Sequence, residues 1–257
     1  MTFLDAIILG ILQGLTEFLP VSSSGHLVLA QALLEVEEPG VSFEVLMHLG
    51  TLLSVLVYFR SRIYDLIRSI FVSAMTEERR IVLFLIIGTV PAGLAGVLLK
   101  DFFERAFGDP AMTSVMLFVT GALLLLTRFI RKADQPIKLG NAILMGIGQA
   151  MAIMPGISRS GATIATGMIA GVNPAKAAEF SFLLAIPAIA GATVLQADQL
   201  MAMNTANLAI YFTGALMSFL TGLGAVYGVL ATIRRGKFDY FAYYCFAAGA
   251  LGLYLFL

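Results

Sequence analysis

Gln13-Gly14-Leu15-Thr16-Glu17-Phe18-Leu19-Pro20-Val21-Ser22-Ser23-Ser24-Gly25-His26 interrupts an otherwise apolar amino-terminal segment. It puts a carboxylate, three consecutive hydroxyls, an imidazole and a helix-breaking proline where the flanking residues call for lipid. A second stretch, Pro155-Gly156-Ile157-Ser158-Arg159-Ser160-Gly161-Ala162-Thr163, echoes it and adds an arginine. Ionisable groups at bilayer depth are costly and usually functional. The two stretches are therefore expected to meet and form one phosphate site.

The rest of the chain supports a membrane setting. It is 59% hydrophobic and 12% charged over 257 residues, with a mean hydropathy of +0.92. Soluble domains carry about 25% charged residues. Several apolar runs approach the ~20 residues that a helix needs to cross a bilayer, whereas a β-barrel would show shorter alternating segments. The expected class is an all-α polytopic membrane protein forming a single domain over residues 1–257. A formal net charge of zero gives no whole-chain signal for nucleic acid. The single cysteine, Cys245, cannot form an internal disulfide and reads as a small buried residue. No basic region precedes Phe3, so the first segment is expected to stay rather than be cleaved as a signal peptide.

Residues 3–19 are apolar and end at Pro20, and residues 27–35 are too short to span alone. Together they read as a helix–loop–helix that enters the membrane and turns back, which is tolerated where the loop is buried in protein or lines a cavity. Residues 41–59, 81–99 and 111–127 read as spans, separated by a loop or interfacial segment at 60–80 and a short charged turn at 100–110. Residues 139–154 and the run to about 172 form a second re-entrant pair. Spans at 177–197, 208–230 and 238–257 follow, with a polar loop at 198–207. The total is about six full transmembrane helices and two re-entrant pairs.

The halves correspond at an offset of 136 residues, which takes Gln13 to Gln149 and Gly25 to Gly161 with no net gap. Pseudo-repeats are assigned at 1–128 and 139–257. Three clusters, Arg60/Arg62/Arg68/Arg79/Arg80, Arg128/Arg131/Lys132/Lys138 and Arg234/Arg235/Lys237, hold 12 of the 16 Lys and Arg residues. The positive-inside rule places all three in the cytoplasm. Each half then has an odd number of spans, so the second is inverted relative to the first, as in broken-helix inverted repeats.

The tips of broken helices expose N–H groups that bind anions. Gly25, Gly156 and Gly161 allow close approach of the backbone. Ser22, Ser23, Ser24, Ser158, Ser160 and Thr163 add hydroxyls, and Arg159 adds a fork suited to phosphate oxygens. The structural alternative for Arg159 is an ion pair with Glu17. His26 lies three residues beyond Ser23, so a local turn could bring the imidazole to a nucleophilic hydroxyl. Glu17 could orient His26, act as a base, or join Gln13 and a pyrophosphate in holding Mg²⁺ or Ca²⁺. His48 reads as structural, with a role in a polar cavity as the alternative. Gly121, Gly214, Gly222 and Gly224 read as packing surfaces. The same anion cradle would also suit a transporter of a lipid phosphate. A Ser-x-x-His pair favours chemistry, because a carrier needs no nucleophile.

The two motifs, together with Ser42-Phe43-Glu44 and Glu179-Phe180-Ser181-Phe182-Leu183-Leu184-Ala185, resemble the undecaprenyl-pyrophosphate phosphatase family of the bacitracin-resistance type. The resemblance covers essentially the whole chain. It implies an integral phosphatase of the bacterial cytoplasmic membrane that converts undecaprenyl pyrophosphate into the monophosphate carrier used for peptidoglycan. It implies help from a divalent cation and a site open to the periplasm. The family's serine and histidine fall on Ser23 and His26 and its arginine on Arg159. Its acidic motif appears in the glutamine version, Gln13 and Glu17, which leaves one carboxylate fewer for a metal. An isoprenyl pyrophosphate and membrane lipids are the expected partners, with a homodimer left open.

Overall fold

The computed structural model describes residues 1–34, 41–72, 74–130, 134–201 and 207–257. Arg131 and Lys132 of the second basic cluster, Glu35 and residues 202–206 of the expected 198–207 loop lie outside the described residues. The described chain is helical, with one isolated bridge between Gln135 and Val172. In order the helices are α1 (Phe3–Phe18), α2 (Ser23–Leu34), α3 (Val41–Tyr58), α4 (Arg60–Ile70), α5 (Glu77–Leu98), α6 (Lys100–Phe107) and α7 (Pro110–Leu126). They continue with α8 (Leu139–Met151), α9 (Arg159–Ile169), α10 (Pro174–Leu195), α11 (Ala197–Met201), α12 (Leu208–Arg234) and α13 (Phe241–Phe256).

Local chemistry sets the breaks. Thr2 and Asp5 form a capping box that starts α1. Leu19 is extended, as a residue before proline must be, so α1 stops short of Pro20. Ser22 takes a φ of +71°, which turns the chain back, and its Oγ accepts from the Gly25 N–H at 3.2 Å to open α2. At the second tip Gly156 has φ +91°, and the Ser158 Oγ accepts from the Gly161 N–H at 3.0 Å to open α9. The same serine-to-glycine cap thus recurs at both tips.

Small residues let the helices touch. A Cβ on Gly10 would meet the Gly214 backbone, and one on Gly14 would meet Ser218 and Thr221. Helices α1 and α12 therefore run in the same direction. Ser218 Oγ donates to the Met47 carbonyl and Ser54 Oγ to the Phe219 carbonyl, both at 2.8 Å, which lays α3 alongside them. Gly88 packs on Ala142 and Gly146, and Gly96 faces Ile153, so α5 and α8 are also parallel. Close helix approach at Gly, Ala and Ser is the usual association mode in lipid. Of the glycines read as packing surfaces, Gly121 meets Phe246, Gly214 meets Phe43 and Gly222 meets Ser54. Gly224 has nothing within 4 Å.

This packing fixes the ends. α3 leads into Arg60 and Arg62 at the end where α12 finishes in Arg234. Arg62 reaches Glu179 in the first turns of α10 at 2.8 Å. The Asn173 N–H donates to the Gln135 carbonyl at 3.0 Å, which holds the start of α8 at that basic end. So α1 runs toward the basic end and α8 runs away from it. The two hairpins enter from opposite ends and meet tip to tip, where Ser160 Oγ donates to the Leu19 carbonyl at 3.1 Å.

Among the described residues four helical stretches are long and apolar enough to cross a membrane: Glu77–Leu98, Pro110–Phe129, Pro174–Leu195 and Leu208–Arg234. A fifth counts if α3 and α4, bent by 79°, are taken as one span. The span read at 238–257 is α13, a 16-residue helix preceded by a 3-10 turn. The turn expected at 100–110 contains α6, because Phe103 and Ala106 bury one face while Lys100 and Glu104 pair at 3.5 Å on the other. The 60–80 segment contains α4, whose exposed Tyr64, Ile67 and Ile70 alternate with arginines, the pattern of an interfacial helix.

Candidate active site

The joined tips bring Glu17, Ser23 and Arg159 together across 142 residues of chain. Glu17 sits on the last turn of α1, buried beside Phe18, which packs edge-on against Phe182 at 5.6 Å. Its Oε1 accepts from Arg159 Nη2 at 2.5 Å. Its Oε2 accepts from Ser23 Oγ at 2.5 Å and from Gln13 Nε2 at 3.0 Å. A buried carboxylate is tolerated when paired and hydrogen-bonded, and this one is both. The ion pair weighed as the structural alternative for Arg159 is present, yet its other terminal nitrogen, Nη1, is buried with no partner among the described residues. Gln13 Oε1 is likewise buried and unpartnered. One unused donor and one unused acceptor thus remain beside a carboxylate-bound serine.

The expected Ser23–His26 contact is replaced by two others. The His26 Nδ1 lies 2.8 Å from the Ser22 carbonyl, one turn back, and Nε2 lies 2.8 Å from the Tyr244 hydroxyl. A carbonyl can only accept, so Nδ1 carries a proton, and in the neutral ring Nε2 accepts from Tyr244. The rings stack with centroids 5.5 Å apart. The cause is helical geometry: once α2 starts at Ser23, the imidazole folds toward the free carbonyl at the helix mouth.

Several expected phosphate ligands serve the tips instead. Ser22 and Ser158 cap α2 and α9. Ser160 ties the two tips together. Thr163 Oγ1 donates to the Arg159 carbonyl at 2.8 Å and lies 2.5 Å from Ser181 Oγ. Ser158, Ser160 and Thr163 are fully buried or nearly so. Gly25 and Gly161 allow the close approach: a Cβ on Gly25 would lie 3.1 Å from the Gly156 Cα, and one on Gly161 would lie 3.3 Å from the Pro20 Cβ. Ser23 and Ser24 remain partly accessible.

Two residues enter that the sequence reading did not place. Tyr244, on the last helix, had no motif to mark it. His48 reads as structural on α3, but its Nε2 lies 3.9 Å from Glu17 Oε2, while its Nδ1 is held 2.8 Å from the Glu44 carbonyl. Glu44 lies one turn before His48 on the same helix, and the contact between them is made by the Glu44 backbone. The Glu44 side chain accepts from Gln31 Nε2 at 2.9 Å. Cys245 is buried, with its Sγ 3.6 Å from the Pro20 carbonyl, which fits a packing residue.

As a cation site the cluster is sparse. Among the described residues no group of three His, Cys, Asp or Glu residues is arranged to hold a metal. The orphaned Gln13 Oε1 and the Glu17 carboxylate are oxygen donors of the type that Mg²⁺ and Ca²⁺ prefer. They fit a cation that takes its remaining ligands from water and substrate phosphates.

Comparison with known proteins gives the family. The chain is 43% identical to an undecaprenyl-diphosphatase of Salinibacter ruber, with 99% of this chain and all of that protein covered. It is 45% identical to one of Syntrophotalea carbinolica over 98% of both, and 41% identical to one of Korarchaeum cryptofilum over 97% of both. The model of the bacitracin resistance protein BacA family matches residues 6–251. A protein of this length, matched from end to end, with the two motifs joined at a buried Glu17–Arg159 pair, belongs to the bacitracin resistance protein BacA family.

Proposed function

We propose that this chain is an undecaprenyl-diphosphatase that releases the terminal phosphate of undecaprenyl pyrophosphate and leaves undecaprenyl phosphate in the membrane. The observation that carries the reading is Ser23 Oγ hydrogen-bonded to Glu17 Oε2, beside an Arg159 with one free nitrogen. A transporter needs the anion donors but not a hydroxyl paired with a base. The exchange of packing partners between halves, α1 on α12 and α8 on α5, supports the inverted-repeat reading.

In the proposed mechanism Arg159 Nη1, the Ser24 hydroxyl and the first N–H groups of α2 hold the terminal phosphate. The isoprenyl chain lies among the helices. Ser23 Oγ attacks the terminal phosphorus as Glu17 takes its proton. The bridging P–O bond breaks, and its electron pair stays on the lipid monophosphate. His26 enters this step as the imidazolium, its Nδ1–H held by the Ser22 carbonyl, gives its Nε2 proton to that leaving oxygen, and recovers a proton from the water that attacks next. Water then attacks phospho-Ser23, inorganic phosphate departs, and the serine regains its proton. A divalent cation held by Gln13 Oε1, Glu17 and the pyrophosphate would add charge neutralisation, which dominates phosphoryl transfer. The site is expected to open away from the basic end, toward the outside of a bacterial cytoplasmic membrane.

The test is phosphate release from undecaprenyl pyrophosphate by purified protein, with Mg²⁺, Ca²⁺ or EDTA, followed by acid quenching of single turnovers on ³²P-labelled substrate. Labelled phospho-Ser23 and loss of release in EDTA are expected. Release with no labelled protein would replace the serine route with direct attack by water. Full release in EDTA would remove the cation. No release at all would remove the enzyme.

Tyr244→Phe keeps the stacked ring and deletes the hydroxyl that holds His26 Nε2. It is expected to lower kcat about 10-fold, below the roughly 10²–10⁴-fold of a whole general acid because His26 itself remains. KM is expected to stay constant, since Tyr244 holds no phosphate. ¹⁵N spectra of the histidines should show the His26 tautomer mixture changing. Unchanged spectra and rates would make Tyr244 a packing residue only.

A further inference from the structure

An open cavity of about 720 Å³ lies at the basic end, among the starts of α4, α5, α8 and α10. Its mouth at Lys138 lies about 20 Å along the 13-residue α8 from the α8 tip, and its inner wall is divided from the tips by α10, whose Phe180 and Leu183 face the cavity while Ser181 and Phe182 touch Thr163 and Phe18. The cavity is therefore distinct from the Glu17–Arg159 site. Its inner wall is apolar, made by Phe84, Leu139, Phe180 and Leu183. Its mouth carries Arg62, Arg80, Lys138 and Lys176, contributed by four segments far apart in sequence.

The charges at the mouth are not balanced. Arg62 is engaged by Glu179 at 2.8 Å and Glu78 at 3.6 Å. Lys138 Nζ touches only the neutral Gln135 amide, at 2.9 Å. Among the described residues neither Arg80 nor Lys176 forms an ion pair, and the one carboxylate of the lining without a cation partner is Glu77. Four cations thus stand against three carboxylates, Glu77, Glu78 and Glu179, and among the described residues Arg80, Lys138 and Lys176 remain without a carboxylate partner above an apolar wall.

That arrangement selects a ligand class. The volume is that of a small-molecule pocket. A free anion would gain nothing from the phenylalanines and leucines. A zwitterionic headgroup would bring its own cation against the lysines. Arginine and lysine together suit a doubly charged terminal phosphate, and the wall suits the first methylenes of a chain. We propose that this cavity is a second binding site, for a membrane lipid ending in a phosphate monoester. The proposal does not depend on the phosphatase chemistry, although the product of that reaction is of the same class.

The experiment is native mass spectrometry of the detergent-solubilised full chain, titrated with phosphatidic acid, phosphatidylglycerol, phosphatidylcholine and inorganic phosphate as probes. Wild type and the triple variant Arg80→Gln/Lys138→Gln/Lys176→Gln are compared. Phosphatidic acid is expected to bind wild type at least about 10-fold more tightly than the other lipids. The triple variant is expected to lose roughly 100-fold, since each basic residue facing an anionic lipid is worth about a factor of five. Its release of phosphate from undecaprenyl pyrophosphate should match wild type, which shows that the fold and the tip site are intact. Equal affinity for phosphatidic acid in both proteins would overturn the proposal. So would equal binding of phosphatidylglycerol, or displacement by inorganic phosphate at the same concentration. If the enzyme reading fails but the triple variant still loses lipid, this site stands alone.

Discussion

Arg159→Ala is expected to reduce kcat/KM for phosphate release by about 10³-fold, the upper range for deleting one preorganised donor to a developing charge. It also leaves Glu17 buried without a counter-charge. Glu17 keeps only 6% of its side chain exposed and Arg159 keeps 15%. Removing one partner of a buried pair costs about 3–5 kcal/mol, so thermal stability should fall together with activity. The two losses separate in the Arg159→Ala/Glu17→Gln double variant, in which no charge is stranded. That protein should recover most of its stability and none of its turnover. Arg159→Lys should sit between, because an ammonium keeps the charge but not the fork that binds Glu17 and a phosphate oxygen at once. Turnover above a tenth of wild type in a folded Arg159→Ala protein would remove Arg159 from the phosphate site.

Glu17→Gln is nearly isosteric and removes only the charge. The expected fall in kcat is about 10³-fold, within the span of general-base contributions, because Ser23 loses the acceptor 2.5 Å from its hydroxyl. KM should rise less, since phosphate is held mainly by Arg159. A buried Arg159 without its carboxylate should even favour anion binding, and inorganic phosphate should inhibit this variant more strongly than wild type. Because Glu17 and Arg159 act as one unit, their effects should not add. A double variant as slow as each single one supports the linked pair. A double variant slower by the product of the two would mean that the residues act separately.

The class of fold was legible because lipid imposes a composition, and the interruptions stood out against it. The meeting of the two tips was also legible, since Glu17 and Arg159 have no other reason to lie in apolar segments. The interfacial helices were less so. α6 has only eight residues, and its short repeat of Phe103 and Ala106 is lost among charged neighbours. The division of labour among the hydroxyls was not readable. Ser22 and Ser23 are adjacent in sequence, yet one caps a helix and the other faces a carboxylate. That choice depends on which residue takes φ +71°, a matter of tertiary closure rather than propensity. Tyr244 was invisible as a site residue, and for His48 a polar-cavity role was only the alternative to a structural one, because a single tyrosine or histidine in a span has many ordinary uses. Only the close packing of α13 and α3 around the tips assigns them.

The interlock between the hairpins also has a meaning in time. The chain is made from its amino terminus, so Glu17 and Ser23 enter the membrane long before Arg159 and Tyr244. Until α9 is threaded beside α1, Glu17 lacks the Arg159 guanidinium and has Gln13, Ser23 and His48 as its polar neighbours. A ribosome-bound fragment ending before Arg159 therefore holds an unfinished site. The site is complete only once α9 and then α13 have been made, so its parts assemble in chain order.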